Sequence, residues 1–298
     1  MENSKSTKSK IVCVVGPTAS GKTAFAIKLA KERNGEIVSC DSMQIYKYMD
    51  IGTAKPTKEE REEVPHHMID FVHPNTNYSV ADFVGDARKC IEDILSRGKM
   101  PVLCGGTGLY IDSIVNNIDY GEELCDTKYR EELWEIAANE GNEKLYNMLC
   151  SEDAEAAEKI HPNNVKRVIR ALEICKASGM TKTEADKIAV KEPLYDAEII
   201  GLTMDREKLY DRINRRVDKM LEEGLLEETK RLIELGIKRD STAMQAIGYK
   251  ELLLYIDGKC TFEEAVDKLK MESRRYAKRQ LTWFKRNERI NWLMLQSD

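Results

Sequence analysis

The chain has 298 residues, 42% hydrophobic and 33% charged, with a formal net charge of −5. That length holds one large domain or two, with a core that needs no disulfide or metal staple. No apolar run approaches the ~18 residues of a membrane span, and the net charge taken alone argues against a nucleic-acid binder.

The opening segment, MENSKSTKSK, is polar and has no apolar h-region, so no secretory signal is expected. Next, Ile11-Val12-Cys13-Val14-Val15 predicts a strand over 10–15, and 22–33 reads as a helix. Between them Gly16, Gly21, Lys22 and Thr23 meet the pattern G-x-x-x-x-G-K-[ST] in the strand-loop-helix setting that it requires. Residues Gly16, Pro17, Thr18, Ala19, Ser20, Gly21, Lys22 and Thr23 are therefore the expected phosphate loop. Its N–H groups lie at a helix N-terminus, where hydrogen bonding and the dipole both favour an anion. Lys22 adds charge, and Thr23 can ligate Mg²⁺.

GEIVSC predicts a second strand, ending at Asp41. An acid just past the carboxyl end of a strand faces the ligand crevice of an open α/β sheet. An aspartate there also commonly caps a turn. Gln44 offers an amide that can pair in two directions with an adenine edge. Residues 42–78 read as irregular, yet Tyr46, Tyr48, Ile51, Met68, Ile69 and Phe71 make them too apolar for disorder. His66 and His67 are adjacent and point to different faces, so no metal is expected at VPHHMID. A helix over 79–97 begins at Ser79 as N-cap. KMPVLCGGTGLY then gives a third strand running into a glycine-rich turn with Thr107. Its glycines allow close backbone approach, and it lacks the acid that a nucleotide-driven motor often carries there. Strands alternating with helices imply parallel pairing and right-handed crossovers.

From about 120 to 195 only helices are predicted, at 127–139, 142–149, 151–158, 164–178 and 181–188. A strand at 197–205 returns the chain to the sheet, and helices follow at 206–222, 225–235, 242–257 and 261–286. The fold class expected is α/β: a P-loop NTPase-like core over 1–120 and 196–298 with a parallel sheet flanked by helices, plus an all-helical insertion over 121–195. Arg167 and Arg170 share one helix face beside Lys166, and Arg212 and Arg216, one turn apart, can reach one anion. Charge is unevenly spread: residues 119–160 carry 13 acids against 4 Lys/Arg, and 268–289 carry nine Lys/Arg against two Glu. In that basic helix Arg274 and Lys278 alternate with Tyr276, Trp283 and Phe284, a composition suited to an RNA backbone and unstacked bases. The eight cysteines are scattered without zinc spacing and read as reduced thiols of a cytosolic protein.

Taken in order from about residue 11 to 286, GPTASGKT, DSMQIY, MDIGTAKP, VPHHMID, GGTGLY, HPNNVKRVIRALE, QAIGYKE and RRYAKRQLTWF resemble the tRNA dimethylallyltransferases (tRNA isopentenyltransferases). The resemblance implies transfer of the five-carbon group of dimethylallyl diphosphate to N6 of the adenine 3′ to the anticodon. The loop at 16–23 then holds an isoprenoid diphosphate in place of ATP. Mg²⁺ on Thr23, with Lys22 and the loop N–H groups, would neutralise the leaving diphosphate, Arg212 or Arg216 would assist, and Asp41 would take the amine proton. RNA contacts carried over by the resemblance fall on Asp41, Ser42, Met43 and Gln44, on Thr107 and Arg130, on Lys166, Arg167, Val168, Ile169 and Arg170, and on Met244, Gln245, Ala246, Ile247 and Gly248. The target base must leave its stack to reach the donor. The chain ends soon after its basic helix, which fits the bacterial type, a monomer acting on a tRNA anticodon stem-loop in the cytoplasm. Glu123 and Glu288 take no role.

Three other readings compete: a small-molecule P-loop kinase, a prenyltransferase of free adenine nucleotides, and a non-catalytic RNA-binding protein. The nine-cation stripe over 268–289 speaks against the first two, and the phosphate loop with Asp41 against the third.

Overall fold

The computed structural model describes residues 8–121 and 126–295. Glu123, Cys125 and the first seven residues of the polar N-terminal segment lie outside them. Two compact units are formed, one from Met1–Val115 with Pro193–Asp298, the other from Asn116–Glu192.

The larger unit is built on one sheet of β1 (Ser9–Val15), β2 (Gly35–Ser39), β3 (His66–His67), β4 (Met100–Gly105), β5 (Tyr195–Thr203) and β6 (Ile290–Met294). The order is β3-β2-β4-β1-β5-β6, and every neighbouring pair is parallel. Central β1 is buried from Ile11 to Val15, as an apolar run covered on both faces should be. Because all strands run one way, the loops after β1, β2 and β4 open on the same edge. Helix α1 (Lys22–Glu32) buries Ala26, Ile27, Leu29 and Ala30 in one core with Val12, Val14, Val102 and Ile200 of the sheet. Helices α2 (Lys58–Glu63) and α3 (Val80–Ser96) both start in capping boxes, at Thr57 and Ser79. Phe83 of α3 stacks on Tyr110 of α4 (Gly108–Val115), with centroids 3.7 Å apart.

The smaller unit consists of α5 (Thr127–Asn139), α6 (Asn142–Glu152), α7 (Ala154–Lys159), α8 (Val165–Ser178) and α9 (Lys182–Ala189). Its core contains Leu133, Leu145, Leu149, Val168, Ile169 and Leu172. Buried Asp153 accepts from Ala156 N and from Thr183 N and Oγ1, which ties α7 to α9. The two chain crossings that bound the unit are adjacent: Ile118 bridges Val190, and Asn117 Nδ2 donates to Glu192 O at 2.7 Å.

Four more helices complete the larger unit: α10 (Arg206–Glu222), α11 (Leu225–Glu234), α12 (Tyr249–Ile256) and α13 (Phe262–Phe284). The helix expected over 242–257 forms only from Tyr249, because Gly248 at φ 106° breaks it. Residues 42–78 are a packed segment containing α2 and β3. Ile45, Tyr46, Met49 and Val72 share a core with Val217, Leu232, Met244, Tyr249 and Leu269. Two polar staples hold it. Buried Lys55 donates to Tyr46 O, Asp50 and Asp70 at 2.6–2.8 Å. The Glu228 carboxylate accepts from the N–H groups of Asp50, Ile51 and Gly52 and from the Tyr249 hydroxyl.

Candidate active site at the carboxyl ends of the strands

The loop after β1 has the geometry of an anion cradle. Gly16 leaves the strand so close to the Leu202 carbonyl that a side chain would collide with it. Gly21, at φ 84°, is the N-cap of α1 and no side chain caps that helix. Its first-turn N–H groups therefore have no capping partner and suit an anion. Pro17, Ala19 and Ser20 are buried beneath the loop. Lys22 Nζ donates to Pro17 O at 2.6 Å, and burial lowers its pKa to about 8. Thr18 is held twice, its N–H donating to Gln280 Oε1 at 2.7 Å and its hydroxyl accepting from Arg216 Nη1 at 3.5 Å. Burial also lowers the pKa of Arg216, against the attraction of Asp41. Exposed Arg212 stands nearby, Nη2 3.9 Å from where a Gly21 Cβ would be. Arg212 and Arg216 of α10 thus both reach the loop, and Arg216 is the one that lines the cavity described next.

Asp41 follows β2. Its Oδ1 accepts from the N–H groups of Met43 at 2.9 Å and Gln44 at 3.3 Å. The turn-capping reading therefore holds for one oxygen. Neither Oδ2 nor the Thr23 hydroxyl makes a hydrogen bond among the described residues, and such oxygens suit a hard divalent cation. Thr107 joins the ends of β2 and β4: its Oγ1 accepts from Ser42 N at 3.1 Å, and its N–H donates to Cys40 O. The glycines around it approach the protein itself. A methyl group on Gly105 would collide with the Cys40 carbonyl, on Gly106 with the Gln280 amide, and on Gly108 with the Trp283 indole. Gln44 corrects the sequence reading. Its amide accepts from Ser39 Oγ and donates to Thr53 O and Ala54 O, so both N–H groups staple the packed segment and none is left for a two-way pairing with an adenine edge.

A cavity of about 320 Å³ opens beside Asp41. Thr18, Asp41, Ser42, Met43 and Arg216 contribute to its wall, with an apolar face from Ile213, Val217, Met220 and Leu269. Gln245, Ala246, Ile247 and Gly248 line it too, whereas Met244 is fully buried in the core. From α13 come Ser273, Tyr276 and Arg279. Burial, and after it the negative charge of Asp41, pushes the pKa of the Tyr276 phenol up. Gln280 escapes the sequence reading, which names Tyr276 only as an aromatic of an RNA-binding surface. The available signal is an amide, Gln280, on the otherwise apolar stripe of Ala277 and Phe284.

The expected RNA contacts divide by availability. On α13, Lys278 is exposed, and Arg274 Nη1 donates to Asn214 Oδ1 at 2.6 Å. In the smaller unit, Lys166 and Arg167 are exposed, Val168 and Ile169 are buried in its core, and Arg130 and Arg170 pair with buried Glu173. The histidines are engaged within the fold: His67 Nε2 lies 2.8 Å from Glu36, and His66 Nδ1 2.7 Å from Val64 O.

Residues 44–287 match the family described as IPP transferase, and residues 9–70 match isopentenyl transferase. The tRNA dimethylallyltransferase of Acetivibrio thermocellus is 52% identical over 287 residues, covering 95% of this chain and 91% of that one. Among solved structures, the full-length tRNA isopentenylpyrophosphate transferase of Bacillus halodurans is 50% identical with a TM-score of 0.72, covering 96% of this chain and 90% of that one. A eukaryotic dimethylallyltransferase acting on tRNA is 33% identical with a TM-score of 0.78, covering 96% and 74%.

Proposed function

This chain belongs to the IPP transferase family, and from that premise we propose that it transfers the dimethylallyl group of dimethylallyl diphosphate to N6 of the adenine 3′-adjacent to the anticodon of tRNA, releasing diphosphate. The observation that carries the reading is one cavity whose wall joins the phosphate loop, a carboxylate and an apolar face.

An exocyclic adenine amine is a poor nucleophile, because its lone pair is delocalised into the ring. Reactivity must come from the donor, whose allylic carbon tolerates positive charge. Lys22, Arg216 and the α1 N–H groups would stabilise the departing diphosphate. Ile213, Val217, Met220 and Leu269 would take the five-carbon chain and exclude water. Asp41 Oδ2 would accept the N6 proton while Oδ1 keeps its turn closed. Mg²⁺, when bound, supplies further charge neutralisation at the leaving group, and the Thr23 hydroxyl is the oxygen offered to it. For the RNA, exposed Lys278 and the Lys166–Arg167 pair are the cations we assign to the phosphate backbone. We expect a cytoplasmic monomer; no helix among the described residues is long and apolar enough to cross a membrane.

Transfer of label from radiolabelled dimethylallyl diphosphate tests the reading. The acceptors are an unmodified anticodon stem-loop with adenine 3′ to the anticodon, the same loop with guanine there, and free AMP. Label is expected on the first alone. Label on AMP would move the substrate to the free nucleotide, and label nowhere would reopen the kinase reading, with ATP turnover measured next.

A further inference from the structure

Resting on that reaction, we propose that Tyr276 is a catalytic residue whose ring face stabilises the cationic allyl group as the donor ionises. The step breaks the C1–O bond of dimethylallyl diphosphate, with the electron pair leaving on the diphosphate oxygen. The N6 lone pair then forms the C1–N6 bond, and the N6 proton passes to Asp41. In between, the five-carbon group carries positive charge. The cavity wall is poorly suited to that charge over most of its extent. It is lined by Arg216, Lys250 and Arg279, and by Asp41 as its one carboxylate among the lining residues. Ile213, Val217, Met220 and Leu269 exclude water and offer no compensating dipole.

Tyr276 is the single aromatic ring among the lining residues. Asp41 lines the same cavity, so the ring and the proton acceptor belong to one wall. The ring already has a cation against it, the Arg279 guanidinium carbon lying 5.7 Å from its centroid. A π face attracts a cation through its quadrupole, most strongly where water is excluded. Gln280 is pinned between Thr18 N and Gly106 O, one turn further along α13, and this holds the helix and the ring in register with the phosphate loop.

The test is single-turnover label transfer to the adenine stem-loop by wild type, Tyr276→Phe and Tyr276→Leu. A graded series carrying mono-, di- and trifluorophenylalanine at 276 accompanies them, and thermal melting and diphosphate binding are recorded for each. The Phe variant is expected within about threefold of wild type and the Leu variant on the order of 10- to 100-fold slower, with diphosphate affinity unchanged. Along the fluorinated series, which drains the ring face at nearly constant shape, log rate should fall stepwise. A Leu variant as fast as wild type, a Phe variant as slow as Leu, or a flat fluorinated series overturns the assignment while leaving the reaction standing. No transfer by the wild type overturns both.

Discussion

Replacing Asp41 by Asn keeps an oxygen able to accept from the Met43 and Gln44 N–H groups, whereas Ala removes it. Both variants should lose turnover by roughly 10²- to 10⁴-fold, the range for a lost general base. Only Ala should also lower the melting temperature, by an amount matching a lost cap of about 1 kcal/mol. Single-turnover transfer and thermal melts separate the two roles, and wild-type turnover in the Asn variant would remove Asp41 as the base. Lys22 gives a second residue-scale prediction. Burial holds its pKa at about 8, so the ammonium that a diphosphate requires is lost as pH rises through that value. Donor affinity, measured calorimetrically from pH 6.5 to 9.5, should weaken across that window in wild type and lose this dependence in Lys22→Met. The strand-loop-helix around residues 16–23 and the place of Asp41 just past β2 were legible in the sequence because their signals are local, within a few residues of a strand end. Gln44 was not, since an amide in a segment read as irregular carries no sign of whether it faces a ligand or the backbone of Thr53 and Ala54.

Helix α13 enters the site through Gln280 and Trp283, the latter donating from Nε1 to Asp112 at 2.7 Å. Gln280→Leu would leave Thr18 N–H and Gly106 O without their side-chain partner. Each unpaired buried group costs about 1–3 kcal/mol. We expect a lower melting temperature together with a raised donor KM, read from melts and steady-state kinetics; an unchanged KM would limit Gln280 to packing. The exposed face of the same helix carries the RNA prediction. Arg274 is tied to Asn214, whereas Lys278 points to solvent. Lys278→Ala should therefore reduce the slope of log affinity against log salt by about 0.7–0.9, the share of one phosphate contact, and Arg274→Ala by less. Filter binding at several salt concentrations decides it, and equal slopes for wild type and Lys278→Ala would move the RNA off this face. The helices of the smaller unit were readable from their periodicity. Strand β3 was not, because two residues carry too little pattern, and neither was β6, because only Ile290 of its five residues is buried and INWLM lacks the continuous apolar run of the central strands. The helix start at Tyr249 was hidden because Met244 and Ala246 are apolar and buried in a non-helical turn.

At the scale of the molecule, every group assigned to the donor comes from the larger unit, and the smaller unit has a core of its own. Its boundary crossings are adjacent, joined by Ile118–Val190 and Asn117–Glu192. Replacing residues 116–192 by a short Gly-Ser linker should leave a folded protein that still binds dimethylallyl diphosphate within about tenfold, as measured by calorimetry. Loss of donor binding with the fold intact by circular dichroism would mean that the insertion shapes the cavity. The order of synthesis adds a constraint. The amide of Thr18 is held by Gln280, 262 residues later in the chain. At roughly 5–20 residues per second, a ribosome that has made the phosphate loop works for tens of seconds more before the residue that secures it exists. Nascent chains and fragments lacking α13 therefore carry the loop's sequence but not its finished shape, and catalytic competence waits until α13 has been made.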